Sequence, residues 1–189
     1  MSLISPSDSS PEHKAMDSAQ LLASMHTGDG RPDQKPVRVR LDFKRLGLRS
    51  ANEGDYEFFY QLKKAALGDY IRATWGWDED RQLDFHFREW RPETLDIITL
   101  DIKPIGSQRL RVYSEEVHLG QFYLRPTFQK LGIGGLFLQQ AKGRAEQAGL
   151  PLRLEVLKCN AAALRFYRRF GFEPERESKT HHHLVWRAA

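Results

Sequence analysis

Two hydrophobic periods take turns along the chain, and the switches between them mark its elements. Val37, Val39, Leu41 and Phe43 alternate with Arg38, Arg40 and Asp42, the period of two expected of a half-buried strand. Leu46-Gly47-Leu48-Arg49 continues or restarts that strand. A helical period then takes over. Asp55 is placed to cap a helix running to about Thr74, with Tyr56, Phe59, Tyr60 and Lys63 on one stripe. Trp75-Gly76-Trp77 breaks it. Asp78 caps a second helix to about Trp90, with Leu83, Phe87 and Trp90 on its inner face, and Pro92 ends it. Three strand candidates follow, Thr94–Leu100, Ile105–Tyr113 and Glu116–Leu124, with Lys103-Pro104 in the first turn.

A helix then opens near Leu131, carrying Ile133, Leu136, Phe137, Ala141, Ala145 and Ala148 on its inner side. Gly149 and Pro151 are its stop signals. A strand at Leu152–Leu157, a helix at Ala161–Phe170 and a strand candidate at His181–Arg187 complete the order, with no internal repeat. Such an order predicts an α+β (three-layer α/β) domain built on one mixed sheet over residues 37–189. Residues 1–36 are rich in Ser, Asp, Pro, Gly and Gln and are expected to form a disordered leader, since they bury too little to offset ordering entropy. A short helix over Ala15–Met25 is the one periodic stretch there.

Composition narrows the class. The chain has 189 residues, enough for one domain with a full core. Its single cysteine, Cys159, excludes an internal disulfide and suits a cytoplasmic protein. No apolar run approaches the length of a membrane span, and the first residues lack a basic segment followed by an apolar one, so no membrane or secretory route is expected. The net charge is +4. Three basic against five acidic residues give the first 36 a balance of −2, leaving about +6 for the rest, which fits an anionic ligand. The basic residues are scattered without interleaved aromatics, so no nucleic-acid partner is expected.

The candidate chemistry begins at Gln129-Lys130-Leu131-Gly132-Ile133-Gly134-Gly135, a glycine-rich turn after the strand-like Gln121-Phe122-Tyr123-Leu124. The first amides of a helix have no partner within it, and the helix dipole adds positive potential, so this turn suits a phosphate. A dinucleotide-binding fingerprint competes for the same glycines. Gly132-Ile133-Gly134 begins one and Glu155 lies where a ribose-binding acid belongs, but Phe137 stands at the third glycine position.

A second segment, Asn160 through Phe172, includes Phe166-Tyr167 and Gly171-Phe172. Together with Gln129, Gly132 and Gly134 it resembles the GNAT superfamily of acyl-CoA-dependent N-acetyltransferases, most strongly over about residues 115–187. The resemblance implies a single domain with a mixed, mostly antiparallel central sheet flanked by helices. It implies transfer of an acetyl group from acetyl-CoA to a primary amine by direct attack, the acceptor being a small-molecule or peptide amine. It further implies that Leu131 through Gly135 hold the pyrophosphate through backbone N–H groups, with Gln129 and Lys130 beside them. Backbone groups of Phe122, Tyr123 and Leu124 would bind the pantetheine arm, with Asn160 and Phe166 flanking it. Tyr167 would protonate the departing thiolate. A homodimer is left open.

One position departs from the family pattern. Where many members carry a glutamate early in the strand, this chain has Gly120. Glu116, His118, Asp78 and Glu79 are the substitutes for a general base, with a water relay as another route. The departure also keeps a non-catalytic acyl-CoA-binding or regulatory module as the alternative function. Asn160 is equally suited to cap the helix it precedes. Trp75, Trp77, Asp78 and Glu79, with Tyr70 nearby and His181 from the last strand, are the candidate acceptor pocket. The run His181-His182-His183 is not expected to bind metal, because consecutive strand residues point to opposite faces.

Overall fold

The computed structural model describes residues 41–188. The expected leader, the helix over Ala15–Met25 and the stretch Val37–Arg40 lie outside the described residues. Seven strands form one sheet: β1 (Leu46–Ser50), β2 (Asp96–Leu100), β3 (Lys103–Val112), β4 (Val117–Leu124), β5 (Leu152–Leu157), β6 (Glu173–Glu177) and β7 (His181–Trp186). Their order is β1-β2-β3-β4-β5-β7-β6. Every neighbouring pair is antiparallel except β4 and β5. Four helices flank the sheet: α1 (Tyr56–Trp75), α2 (Glu79–Glu89), α3 (Ile133–Ala148) and α4 (Ala161–Arg169). The mixed, mostly antiparallel α+β architecture agrees with the expectation from sequence.

Alternation along β2 divides the core. Ile97 and Ile98 are both fully buried and point to opposite faces. Ile97 meets Phe59 and Leu62 of α1, whereas Ile98 packs with Ile105, Ile133 and Phe137, so α1 and α3 cover opposite faces. A third cluster joins Leu138, Ala141 and Ala145 of α3 to Val117, Leu119, Leu154 and Tyr167. Truncating any of these large aliphatic residues to Ala would cost about 2–5 kcal/mol.

Several local expectations are corrected. Phe43–Arg45 is a single 3-10 turn capped by the Asp42 carboxylate, and the first strand starts only at Leu46. Asp55 stands at the start of α1 but makes no capping bond there. Its carboxylate instead accepts from Arg49 at 2.6 and 2.7 Å and from the Asn52 amide at 3.0 Å. Asp78 does cap α2, accepting from the Arg81 amide at 2.9 Å. In α2 the buried side chain is His86, while Leu83 and Phe87 are exposed. In α3, Leu138 is buried and Ala148 is not. The β2–β3 turn is Asp101-Ile102, and Lys103 and Pro104 already belong to β3. Strand β6 was not anticipated. All five of its residues are exposed, so no apolar alternation marks it, and its edge position tolerates Pro174.

Two features of β4 position the site. Its parallel pairing with β5 covers Val117↔Leu152 and His118↔Arg153, after which the strands diverge. On the other side, Arg109 pairs with Gly120 and Ser107 with Tyr123, leaving Gln108 opposite both Gln121 and Phe122. This is a bulge. Gln121 adopts φ 48°, and its carbonyl accepts from Ser107 Oγ at 2.9 Å.

Candidate active site

The divergence of β4 from β5 opens a cleft of about 870 Å³ beneath α1 and α2. Its walls bring together Phe122 and Tyr123 of β4, Asn160 and Tyr167 of α4, Trp75, Trp77 and Asp78 around the α1–α2 turn, and His181 of β7. Leu124, Phe166, Tyr70, Glu79, Glu116 and the segment from Gln129 to Gly135 are not part of this lining.

The glycine turn is built by hydrogen bonding and by left-handed backbone. Gln129 Nε2 donates to the Leu124 carbonyl at 3.0 Å, tying the turn to the end of β4. Lys130 (φ 61°) and Gly132 (φ 86°) then reverse the chain. The first bond of α3 runs from the Leu136 amide to the Gly132 carbonyl at 3.1 Å. The amides of Ile133, Gly134 and Gly135 therefore have no acceptor within the helix. Two of the glycines also answer a packing demand. A Cβ on Gly134 would stand 3.4 Å from Phe166 Cζ, and one on Gly135 only 2.8 Å from Phe170 Cζ. Their absent side chains let α4 approach the start of α3. Leu131, beside them, is exposed.

Tyr167 is 9% exposed, in edge contact with Phe166 and Phe172, at centroid distances of 5.1 and 5.6 Å. No described residue hydrogen-bonds its hydroxyl. Burial, reinforced by Tyr123, pushes the phenol well above its ordinary range, so it keeps its proton at neutral pH. Asn160 caps α4, its Oδ1 accepting from the Ala163 amide at 3.0 Å, and also faces the cleft.

The α1–α2 turn is held by Glu79. Its carboxylate accepts from Tyr60 Oη (2.8 Å), Lys64 Nζ (2.8 and 2.9 Å) and Trp77 Nε1 (2.7 Å). These donors, Lys64 foremost, lower its pKa to about 2. A carboxylate so stabilised is a poor proton acceptor. Trp77 has Lys64 and Arg72 over its ring at 5.6 and 5.9 Å, so the chain's own cations already stand against that aromatic. Trp75 is 55% exposed, with the His181 ring 6.1 Å away, and forms the open aromatic wall. The Tyr70 carbonyl accepts from Thr74 Oγ1 at 2.7 Å, which lies 3.3 Å from Cys159 Sγ.

Glu116 sits just before β4, accepting from Arg153 Nη1 at 3.2 Å, with His118 Nδ1 3.6 Å away. His118 lines the cleft. The other two adjacent histidines of β7 go separate ways: His182 meets Glu177 and His183 meets Glu155, each at 3.0 Å. Among the described residues no group of three or more His, Cys, Asp or Glu is placed to hold a metal ion. Likewise, no described helix is long and apolar enough to cross a membrane.

The sequence assigns no site role to Lys63, Phe85 or Glu89, and offers Glu155 only as a ribose-binding acid, yet all four line the cleft. Lys63 Nζ lies 4.6 Å from the centre of the Phe85 ring, and burial lowers its pKa. A lysine on the apolar stripe of α1 was the available signal. Glu89 and Glu155 look like ordinary polar positions on a helix and a strand.

Comparison with known proteins gives the same picture. Residues 59–172 match the model of the acetyltransferase (GNAT) family. Among solved structures, the chain is similar to the PaiA N-acetyltransferase from Thermoplasma acidophilum in complex with coenzyme A, at 18% identity. The alignment covers 76% of this chain and 99% of that one, with a TM-score of 0.63. The ribosomal-protein-S18-alanine N-acetyltransferase from Escherichia coli aligns at 19% identity over 74% and 90% of the two chains, TM-score 0.52. At these identities the likeness is one of fold. No curated protein matches the chain in sequence.

Proposed function

The chain belongs to the acetyltransferase (GNAT) family, and from that premise we propose that it transfers an acetyl group from acetyl-CoA to a primary amine by direct attack. The observation that carries the reading is the shared geometry of cleft and turn. The strands β4 and β5 part where Tyr167 and Asn160 face inward, and Leu124, at the end of β4, is tied to the turn whose free amides begin α3. The residues fit an acyl-CoA. Unpartnered amides at a helix start suit its pyrophosphate, and the strand gap at a bulge offers backbone groups to its pantetheine amides.

Bound there, acetyl-CoA supplies the thioester carbon that the amine attacks, the C–N bond forming as the C–S bond breaks. In this proposal the amides of Leu131 through Gly135, with Gln129 and Lys130, hold the phosphates. Phe122, Tyr123 and Leu124 orient the arm through main-chain groups, and Asn160 and Phe166 flank it. Tyr167 Oη gives its proton to the departing sulfur. Its raised pKa keeps that proton available until charge develops. Trp75, Trp77, Asp78 and His181 form the acceptor wall, with Tyr70 behind it. Glu79 serves as the latch that holds the turn rather than as a base. The resemblance of the PaiA enzyme, crystallised with coenzyme A, supports the choice of acyl donor.

Tyr167→Phe tests the assignment. Thiol release from acetyl-CoA over a panel of amines should fall by about 10² or more, while coenzyme A affinity by calorimetry stays within about twofold. Undiminished turnover would reduce Tyr167 to packing. Saturable coenzyme A binding without thiol release for any amine would favour a non-catalytic acyl-CoA-binding module.

A further inference from the structure

We propose that His118 is the general base that deprotonates the attacking amine and that Glu116 is its positioning residue, an inference that rests on the acetyltransferase reading. His118 is the last residue of β4 still paired with β5, so its ring stands where the cleft opens. Gly120 follows two residues later on the same face. A Cβ built there would lie 3.7 Å from both His118 Nε2 and Cδ2. The imidazole therefore lies along the strand, its Nε2 edge over the bare glycine and one residue short of the bulge at Gln121. Its other nitrogen, Nδ1, is 3.6 Å from Glu116 Oε1. Glu116 is in turn held by Arg153, whose guanidinium also makes a two-point contact with Glu175 at 2.7 and 2.9 Å. In this proposal Glu116 closes on Nδ1 and holds the tautomer that leaves Nε2, the ring atom beside Gly120, free to take the proton.

Other groups around the cleft are engaged elsewhere. Asp78 caps α2, Glu155 pairs with His183, and Glu79, itself outside the lining, accepts from Tyr60, Lys64 and Trp77. Lys63 and Arg81 are cations. Glu89, the last residue of α2, lies within electrostatic reach of Lys63, Arg109 and Tyr123, and His181 lies near Trp75 with its Nδ1 bonded to Thr180. Arg111 stands directly across from His118 on β3 and Arg153 across from it on β5. With glycine at 120, no side chain at that position stands against the Nε2 edge of the imidazole. In the step, Nε2 takes a proton from the amine nitrogen as the C–N bond forms, and Tyr167 Oη gives one to the sulfur as the C–S bond breaks, so protons and charge balance.

The test uses the full chain with an amine found to support thiol release. His118→Ala should lower kcat by about 10², leave coenzyme A affinity within about twofold, and regain turnover with added free imidazole. Glu116→Gln should lower kcat in the otherwise native protein but cause no further loss in the His118→Ala background, a non-additivity that a merely structural carboxylate would not produce. Retained kcat in His118→Ala, or additive losses in the double variant, would overturn the dyad while leaving the acetyltransferase reading intact. Absence of thiol release in the native protein for every amine would overturn both.

Discussion

At the scale of single residues, the structure reassigns polar groups whose partners are distant in the chain. Asp55 sits at a helix start in the sequence, and a cap is the natural reading. The fold instead brings Arg49 of β1 to it, and the two-point contact, with the Asn52 amide, takes up the carboxylate that is only 5% exposed. The Arg49 hydrogen bond is the chief reason its pKa lies below the ordinary value. A carboxyl whose folded pKa is depressed contributes stability above its unfolded pKa, about 3.9, and loses it as pH falls through the lower folded value. Asp55→Asn should destabilise the protein by about 1–3 kcal/mol at pH 7. It should also flatten the loss of stability in urea titrations below about pH 4. An unchanged acid profile would place the partner effect elsewhere. Asn160 was legible as a cap because its partner, the Ala163 amide, is local to one helix. The ties of Glu79 to Tyr60 and Lys64 were not, since they depend on how α1 and α2 meet.

Elements were read well where one face is apolar and poorly where burial follows aromatic stacking. The strands β2 to β5 and the helices α1, α3 and α4 emerge from periodicity because each turns an apolar face to the core. In α2 the same rule selected Leu83 and Phe87, yet the residue facing inward is His86, 1% exposed. Its ring is surrounded by Tyr56, Tyr60, Phe59 and Trp90 at centroid distances of 4.4 to 5.9 Å. Its Nε2 is 3.1 Å from the Tyr56 carbonyl, which can only accept, so Nε2 carries the proton. Burial is the main cause of its lowered pKa, so the neutral ring is the folded form. The unfolded chain then binds more protons as pH falls below about 6.5, and stability present above that value declines toward the folded pKa. Thermal unfolding should show Tm falling between about pH 7 and pH 5. A His86→Phe variant should lack that component; an identical slope in both proteins would assign it to another group. Edge strand β6 escaped altogether, because a strand whose five residues all face solvent carries no apolar signal.

At the scale of the whole molecule, the glycine turn belongs to two systems at once. Read along the chain, its glycines are a ligand cradle. In the fold they are also the contact through which α4 closes on α3, and this second role is invisible in sequence because Phe166 and Phe170 lie some thirty residues downstream. The two roles separate experimentally. At Gly132 the demand is backbone conformation, with φ at 86°; at Gly135 it is space, with Phe170 Cζ only 2.8 Å from any added Cβ. Gly135→Ala forces the Phe170 ring aside, and overpacking of this kind costs about 1–3 kcal/mol. For a domain of this size that is a drop in Tm of roughly 2–4 °C per kcal/mol. Because the displaced ring belongs to the residue that closes the helix carrying Tyr167, coenzyme A affinity should weaken along with stability. Combining the change with Phe170→Leu, which withdraws the ring from the contact, should recover much of both losses. If Gly135→Ala weakens coenzyme A binding at unchanged Tm, and Phe170→Leu restores nothing, then the glycine acts on the ligand alone and the start of α3 is not braced by α4.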